Sequence, residues 1–165
     1  MTAADAYALA YETGLRTLDE QASALREIRD RAGRLLTTAT LTGGFVAGLI
    51  LTADPKPGTD PINTSWWALA IAGFAAVILS TMYVWRPVKI QVTQNSATIV
   101  SSFIEGSAQM TLPQVHRELA LWFGDHSYWN RRPLERAQNA FRASQLALLI
   151  EMTGLILTIG DAINV

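Results

Sequence analysis

The sequence predicts an all-α multipass membrane protein: an antiparallel hairpin of two transmembrane helices, a third C-terminal transmembrane helix, and cytoplasmic juxtamembrane helices. Three observations lead there. Half of the residues are apolar and 16% are charged, against about a quarter in ordinary soluble domains. The deficit is uneven: Leu35 to Ala53 and Ser65 to Trp85 hold no charged residue, and Ala143 to Gly160 holds only Glu151, whereas arginines crowd the segments between. Such alternation is what membrane spans between solvated segments produce. Finally, a chain of 165 residues is of one-domain size.

Composition also excludes several function classes. A net charge of -1 offers no excess positive field for phosphates, so no nucleic-acid partner is expected. The absence of cysteine removes disulfides, thiolate metal sites and cysteine nucleophiles.

Residues 1–34 read as a cytoplasmic N-terminal helix. They lack the basic start and apolar core of a secretory signal, so the segment is expected to be retained. Ala8, Tyr11, Leu15, Leu18, Ala22, Leu25 and Ala32 lie close to a heptad, with Arg29 interrupting it. Glu12 with Arg16, Glu27 with Arg31, and Asp30 with Arg34 stand four apart in the favourable order. No breaker follows, so one helix runs into the first span. Its apolar stripe needs cover, from this chain or from a second copy.

The first span is residues 35–53 and the second 65–85. At ~1.5 Å per residue each is long enough for a hydrocarbon core of roughly 30 Å. Trp66 and Trp67 open the second and Tyr83 and Trp85 close it, as headgroup anchoring requires. The alternative, a buried hairpin of a soluble protein, would ordinarily carry a polar face. Between the spans, residues 54–64 form a short external loop rich in breakers, from Asp54 to Pro61. Asn63-Thr64-Ser65 has the form of a glycosylation sequon but abuts the span. Five arginines precede the first span, while the loop holds only Lys56. The excess of basic residues on one side places the N-terminus and residues 86–142 in the cytoplasm of a protein of the inner membrane.

Residues 86–142 read as a cytoplasmic helical segment. Asn95 or Ser96 can cap a short helix through Glu105, or Val88 to Val92 can form a short strand. Thr111-Leu-Pro-Gln114 has the form of a capping box, starting a helix towards Gly124. Asn130 then caps a further helix with Pro133 in its first turn. His116, Glu118, Asp125 and His126 are the one chemical cluster in view, without metal-ligand spacing, and a solvated or interfacial role is the simpler reading. The chain holds no phosphate loop, nucleophile elbow or dinucleotide fingerprint, so neither enzymatic activity nor a cofactor is expected.

The third span, residues 143–162, is short and carries Glu151 at its middle; a helix lying against the first two or in the interface is the alternative. A mid-span carboxylate costs roughly 2.5–3.5 kcal/mol on insertion scales, so it should face protein. Ser144, Ala147, Glu151, Gly154 and Thr158 share one small, polar helix face, while Leu148, Ile150 and Leu157 point elsewhere. Ladders of small residues at every fourth position offer partner faces: Thr40, Gly44, Gly48 and Thr52 in the first span, and Ala68, Ala72, Ala76 and Ser80 in the second. Thr40, Gly44, Gly48, Ala72, Ala76 and Gly154 are therefore the expected helix-packing residues, within one chain or in a homo-oligomer. Glu151 itself reads either as a neutral acid donating to a threonine or carbonyl of a neighbouring helix, the favoured reading, or as a functional group that lines a water-filled path formed by oligomerisation or works as a protonation switch.

The run Arg26-Glu-Ile-Arg-Asp-Arg-Ala-Gly-Arg-Leu-Leu-Thr37 resembles the lead-in to the first span of Pycsar-type transmembrane effectors, small bacterial membrane proteins. There an aspartate, a basic residue, alanine and a small residue precede an apolar helix, matched here by Asp30, Arg31, Ala32 and Gly33. Arg31 stands where lysine is usual. The layout, an N-terminal helix, a hairpin of spans, a helical stretch, then Asn130 and a last apolar helix, is similar as well, and SLATT-type effectors share much of it. The resemblance implies a role in antiviral defence through damage to the inner membrane, with a cyclic nucleotide as the implied signal. A structural or adaptor membrane protein, and a small ion- or proton-conducting subunit using Glu151, are the other functions the sequence admits.

Overall fold

Thr2 and Asp5 start the first helix reciprocally. The Thr2 amide donates to the Asp5 carboxylate at 2.7 Å, and the Asp5 amide donates to the Thr2 hydroxyl at 3.3 Å. From there α1, Ala3–Thr52, runs without interruption through Gly33. The computed structural model describes residues 2–52, 64–90, 96–101, 105 and 110–164. The remaining helices are α2, Thr64–Trp85; α3, the single turn Ser96–Ile99; and α4, Leu112–Asn164. Among the described residues the chain is all-helical. The loop from Asp54 to Pro61, Asn63, Asn95 and Val92 fall outside them.

Residues 86–142 depart from expectation. Thr111 does cap α4, its amide and hydroxyl both donating to Gln114 Oε1 at 2.8 and 2.9 Å. The helix does not stop near Gly124, however, and Asn130 starts no new one; α4 continues through Pro133. A proline there removes one backbone donor, yet the helix face is continuous: Phe123, Asn130, Ala137, Ser144, Glu151 and Thr158, each seven apart, are all buried. That stripe outweighs the lost bond. The turn α3 widens after Ile99, where the Glu105 amide donates to the Val100 carbonyl at 2.8 Å, and residues 102–104 of the expected helix lie outside the described residues. Val88 to Ile90 form no strand.

The same spacing organises the other two long helices. Leu18, Leu25, Ala32, Ala39 and Val46 are buried along α1, and Ala70, Val77 and Val84 along α2. A seven-residue repeat keeps one seam facing its partner along the helix.

The chain forms two compact units. One comprises Met1–Arg26 and Pro87–Arg136. Its core is Leu18, Leu119 and Phe123, with Tyr11, Ile99, Val115 and Trp122 packed around them. The apolar stripe of residues 1–26 is thus covered from within the chain. Leu15 is exposed, and Gly14 takes its place in the core because Phe123 lies where a side chain would go, 2.8 Å from an added Cβ. Glu27 pairs with Arg31 as expected, whereas Arg16 pairs forward with Glu20 rather than back with Glu12.

The second unit comprises Glu27–Arg86 and Ala137–Val165. Ala39, Val77 and Ala147 form one core layer, and Val46, Ala70 and Leu155 another. Arg29, the break in the α1 heptad, donates to the Val84 carbonyl near the end of α2 at 3.4 Å and to the Arg86 carbonyl just beyond it at 3.0 Å. The Trp85 indole returns a bond to the Arg29 carbonyl at 3.3 Å. Among the described residues, two helices are long and apolar enough to cross a membrane: α2 within Ser65–Trp85 and α4 within Leu112–Asp161, with mean hydropathies of 1.9 and 1.6 over their most apolar stretches. Only 28% and 33% of these stretches are buried inside the protein.

Candidate functional site

Small residues decide where helices of the second unit meet. A Cβ added to Gly73 of α2 would lie 2.6 Å from the Glu151 amide nitrogen, and one added to Gly154 of α4 would lie 2.7 Å from the Ala70 nitrogen. The backbones of α2 and α4 therefore touch at both places, as small residues permit. Beside this crossing, a cavity of about 330 Å³ opens between α1, α2 and α4. Thr40, Gly43, Gly44 and Ala47 supply its α1 wall, and Trp67, Ala70, Ile71 and Phe74 its α2 wall. Leu155 and Glu151 come from α4.

Glu151 is 1% exposed, and neither carboxylate oxygen has a hydrogen-bond partner. An added Cβ on Gly43 would stand 3.3 Å from Oε1, so α1 reaches the acid through a glycine. The expected bond to a threonine or carbonyl of a neighbouring helix is not formed within the chain. The nearby hydroxyls are engaged locally: Thr40 donates to the Leu36 carbonyl at 2.9 Å and Thr158 to the Gly154 carbonyl at 2.8 Å. The Ser144 hydroxyl of α4 donates to the Ser80 hydroxyl of α2 at 2.6 Å, and Ser80 in turn donates to the Ala76 carbonyl. Buried polar groups are ordinarily satisfied. This acid is a departure.

The predicted face of α4 is where the sequence put it, since Ser144, Ala147, Glu151, Gly154 and Thr158 are all buried. Ile150 and Leu157 point outward, while Leu148 packs against the Ala39 layer. The partner faces differ. Thr40 and Gly44 reach the cavity, but nothing lies within 4 Å of a Cβ added at Gly44 or Gly48. Ala72 and Ala76 are exposed on α2. Gly43, Ala70 and Gly73 make the contacts instead, and Trp67 and Phe74 face the acid's cavity. A ladder at every fourth position winds about 40° round the helix per step and leaves the seam. The seven-residue repeat of Ala70, Val77 and Val84 was the signal for the face that packs within the chain.

In the first unit the histidines are held by aromatic contacts. His116 stacks on Tyr11 at 5.1 Å, and His126 stacks on Trp122 at 3.8 Å with its Nδ1 2.8 Å from the Trp122 carbonyl. Glu118 pairs with Arg117. Among the described residues, no three His, Asp or Glu side chains are grouped to hold a metal.

No protein-family model, curated protein or solved structure matches the chain.

Proposed function

We propose that the chain is a three-span protein of the bacterial inner membrane, with its N-terminus in the cytoplasm, and that it acts without catalysis as an oligomeric, membrane-perturbing effector of antiviral defence. The observation that carries the membrane reading is the uncovered apolar surface of the second unit. Leu41, Phe45, Ile71, Leu79, Met82, Leu146, Leu149 and Ile156 all point outward. A soluble protein rarely exposes so continuous a patch, and lipid is the solvent that suits it. The first span, from Leu35 in α1, completes the set of three, and the arginine-rich flanks orient it. The defence role rests on the resemblance of Arg26 to Thr37 and of the layout, which also suggests a cyclic-nucleotide signal.

The test is expression in cells carrying a potential-sensitive dye. Depolarisation by the full chain, lost on truncation after Arg142, is the expected result. Polarised, healthy cells at high expression, with and without phage, would favour the adaptor function. A second reading, a small ion- or proton-conducting subunit, draws on the unpartnered Glu151 in its cavity. It requires that Glu151→Gln abolish conduction in proteoliposomes while leaving assembly intact.

A further inference from the structure

We propose that the cavity beside Glu151 binds a lipophilic organic cation, its charge against the Glu151 carboxylate and its apolar body against Trp67 and Phe74. The argument begins with the acid. It is buried, both oxygens lack partners, and it lines an open space. A buried carboxylate without a partner is costly, and no cation among the described residues pairs with it. The apolar stretches of residues 35–52, 65–85 and 143–160 hold no lysine or arginine. Arg34, Arg86 and Arg142 stand at their ends.

The walls choose among the external candidates. An inorganic cation needs about six oxygen ligands, and the cavity supplies one carboxylate and the Thr40 hydroxyl among otherwise apolar side chains. Ordered water needs two to four polar partners and meets the same shortage. An anion is repelled. An ammonium or phosphonium carried on an apolar or aromatic body satisfies both features, because indole and phenyl faces attract such charges. About 330 Å³ also lies within the range of small-molecule pockets. The open side, over Gly44 and the outward Ile71, faces the surface that the membrane reading gives to lipid, so the ligand enters sideways from the bilayer. The site thus rests on the membrane placement and not on the defence role.

The experiment uses the full chain in phospholipid nanodiscs. Radiolabelled tetraphenylphosphonium is measured by equilibrium dialysis and ethidium by fluorescence, with neutral tetraphenylmethane as competitor. Saturable binding of at least one cation is expected, displaced by the other cation and not by the neutral compound. Glu151→Gln should weaken it roughly tenfold or more, and Glu151→Asp should retain part of it. Gly44→Phe, which fills open space without touching a packed face, should abolish binding with unfolding temperature unchanged. Absence of saturable binding for both cations would overturn the proposal, as would equal displacement by tetraphenylmethane or unchanged affinity in Glu151→Gln. So would cysteine cross-links between copies at Ile71 that persist in saturating cation, since a second copy would then occupy the space. Depolarisation, measured without added cation, tests the effector reading separately.

Discussion

Glu151 shows how far a single residue can be read from sequence. Its burial follows from the small, polar face it shares with Ser144 and Thr158, and that face was legible because helical spacing alone defines it. Its lack of a partner was not legible, since that depends on which side of α1 and α2 comes to meet it. The structure reverses the sign of one expectation. With a bonded acid, Glu151→Leu would leave a partner unpaired and cost stability. With both oxygens unpartnered, the same change removes an unsatisfied group and should stabilise the protein by about 1–3 kcal/mol. Denaturant titration in mixed micelles checks this, and a lower midpoint for Leu than for wild type would mean that Glu151 has a partner after all. Glycines divide in the same way. Gly73→Leu forces α2 from the α4 backbone and should cost about 1–3 kcal/mol or more. Gly48→Leu, with open space over it, should leave the fold intact and weaken only association between copies. Equal thermal stability of the two variants would remove the α2–α4 crossing from the account.

At the scale of the element, continuity was the hardest property to foresee. The passage of α1 through Gly33 followed from the absence of breakers. The passage of α4 through Asn130 and Pro133 did not, because cap-forming residues and a proline are local signals, while the buried stripe that overrides them extends from Phe123 to Thr158. Long-range periodicity is the better guide where the two conflict. The start of α1 carries its own test. The Thr2 amide, and secondarily its hydroxyl, hold the Asp5 carboxyl below the ordinary carboxylate value. A lowered value means that the cap's contribution is present above the ordinary carboxylate range and is lost as pH falls through the lowered one. Helical chemical shifts of Asp5 to Leu9 should therefore decay only once pH has fallen below the ordinary carboxylate range. Thr2→Pro, which removes the donating amide, should move that transition to higher pH, and an unmoved transition would separate Asp5 from its cap.

For the whole molecule, the charge-free stretches carried the all-helical fold and the helices apolar enough to cross a membrane, because hydropathy is summed over many residues and tolerates local error. Reporter fusions test the resulting topology: Asp60 and Val165 should report outside and Gln109 inside. An internal Val165 would make the last stretch of α4 a helix that dips without crossing. The division into two units was less visible, since α1 and α4 each pass from one to the other with no change in helical sequence pattern near Arg26 or Arg136.

The bond from Arg29 to the end of α2 has a consequence for how the hairpin sits in depth. Two helices packed through seven-residue repeats, Ala39 on Val77 and Val46 on Ala70, can slide past each other with one apolar layer replacing the next. A guanidinium that must meet the Arg86 carbonyl, with an indole answering from Trp85, allows one vertical alignment and rejects its neighbours. The same clasp closes only when the whole of α2 has left the ribosome, so the hairpin is latched at the last residue of its second arm and stays free to adjust until then.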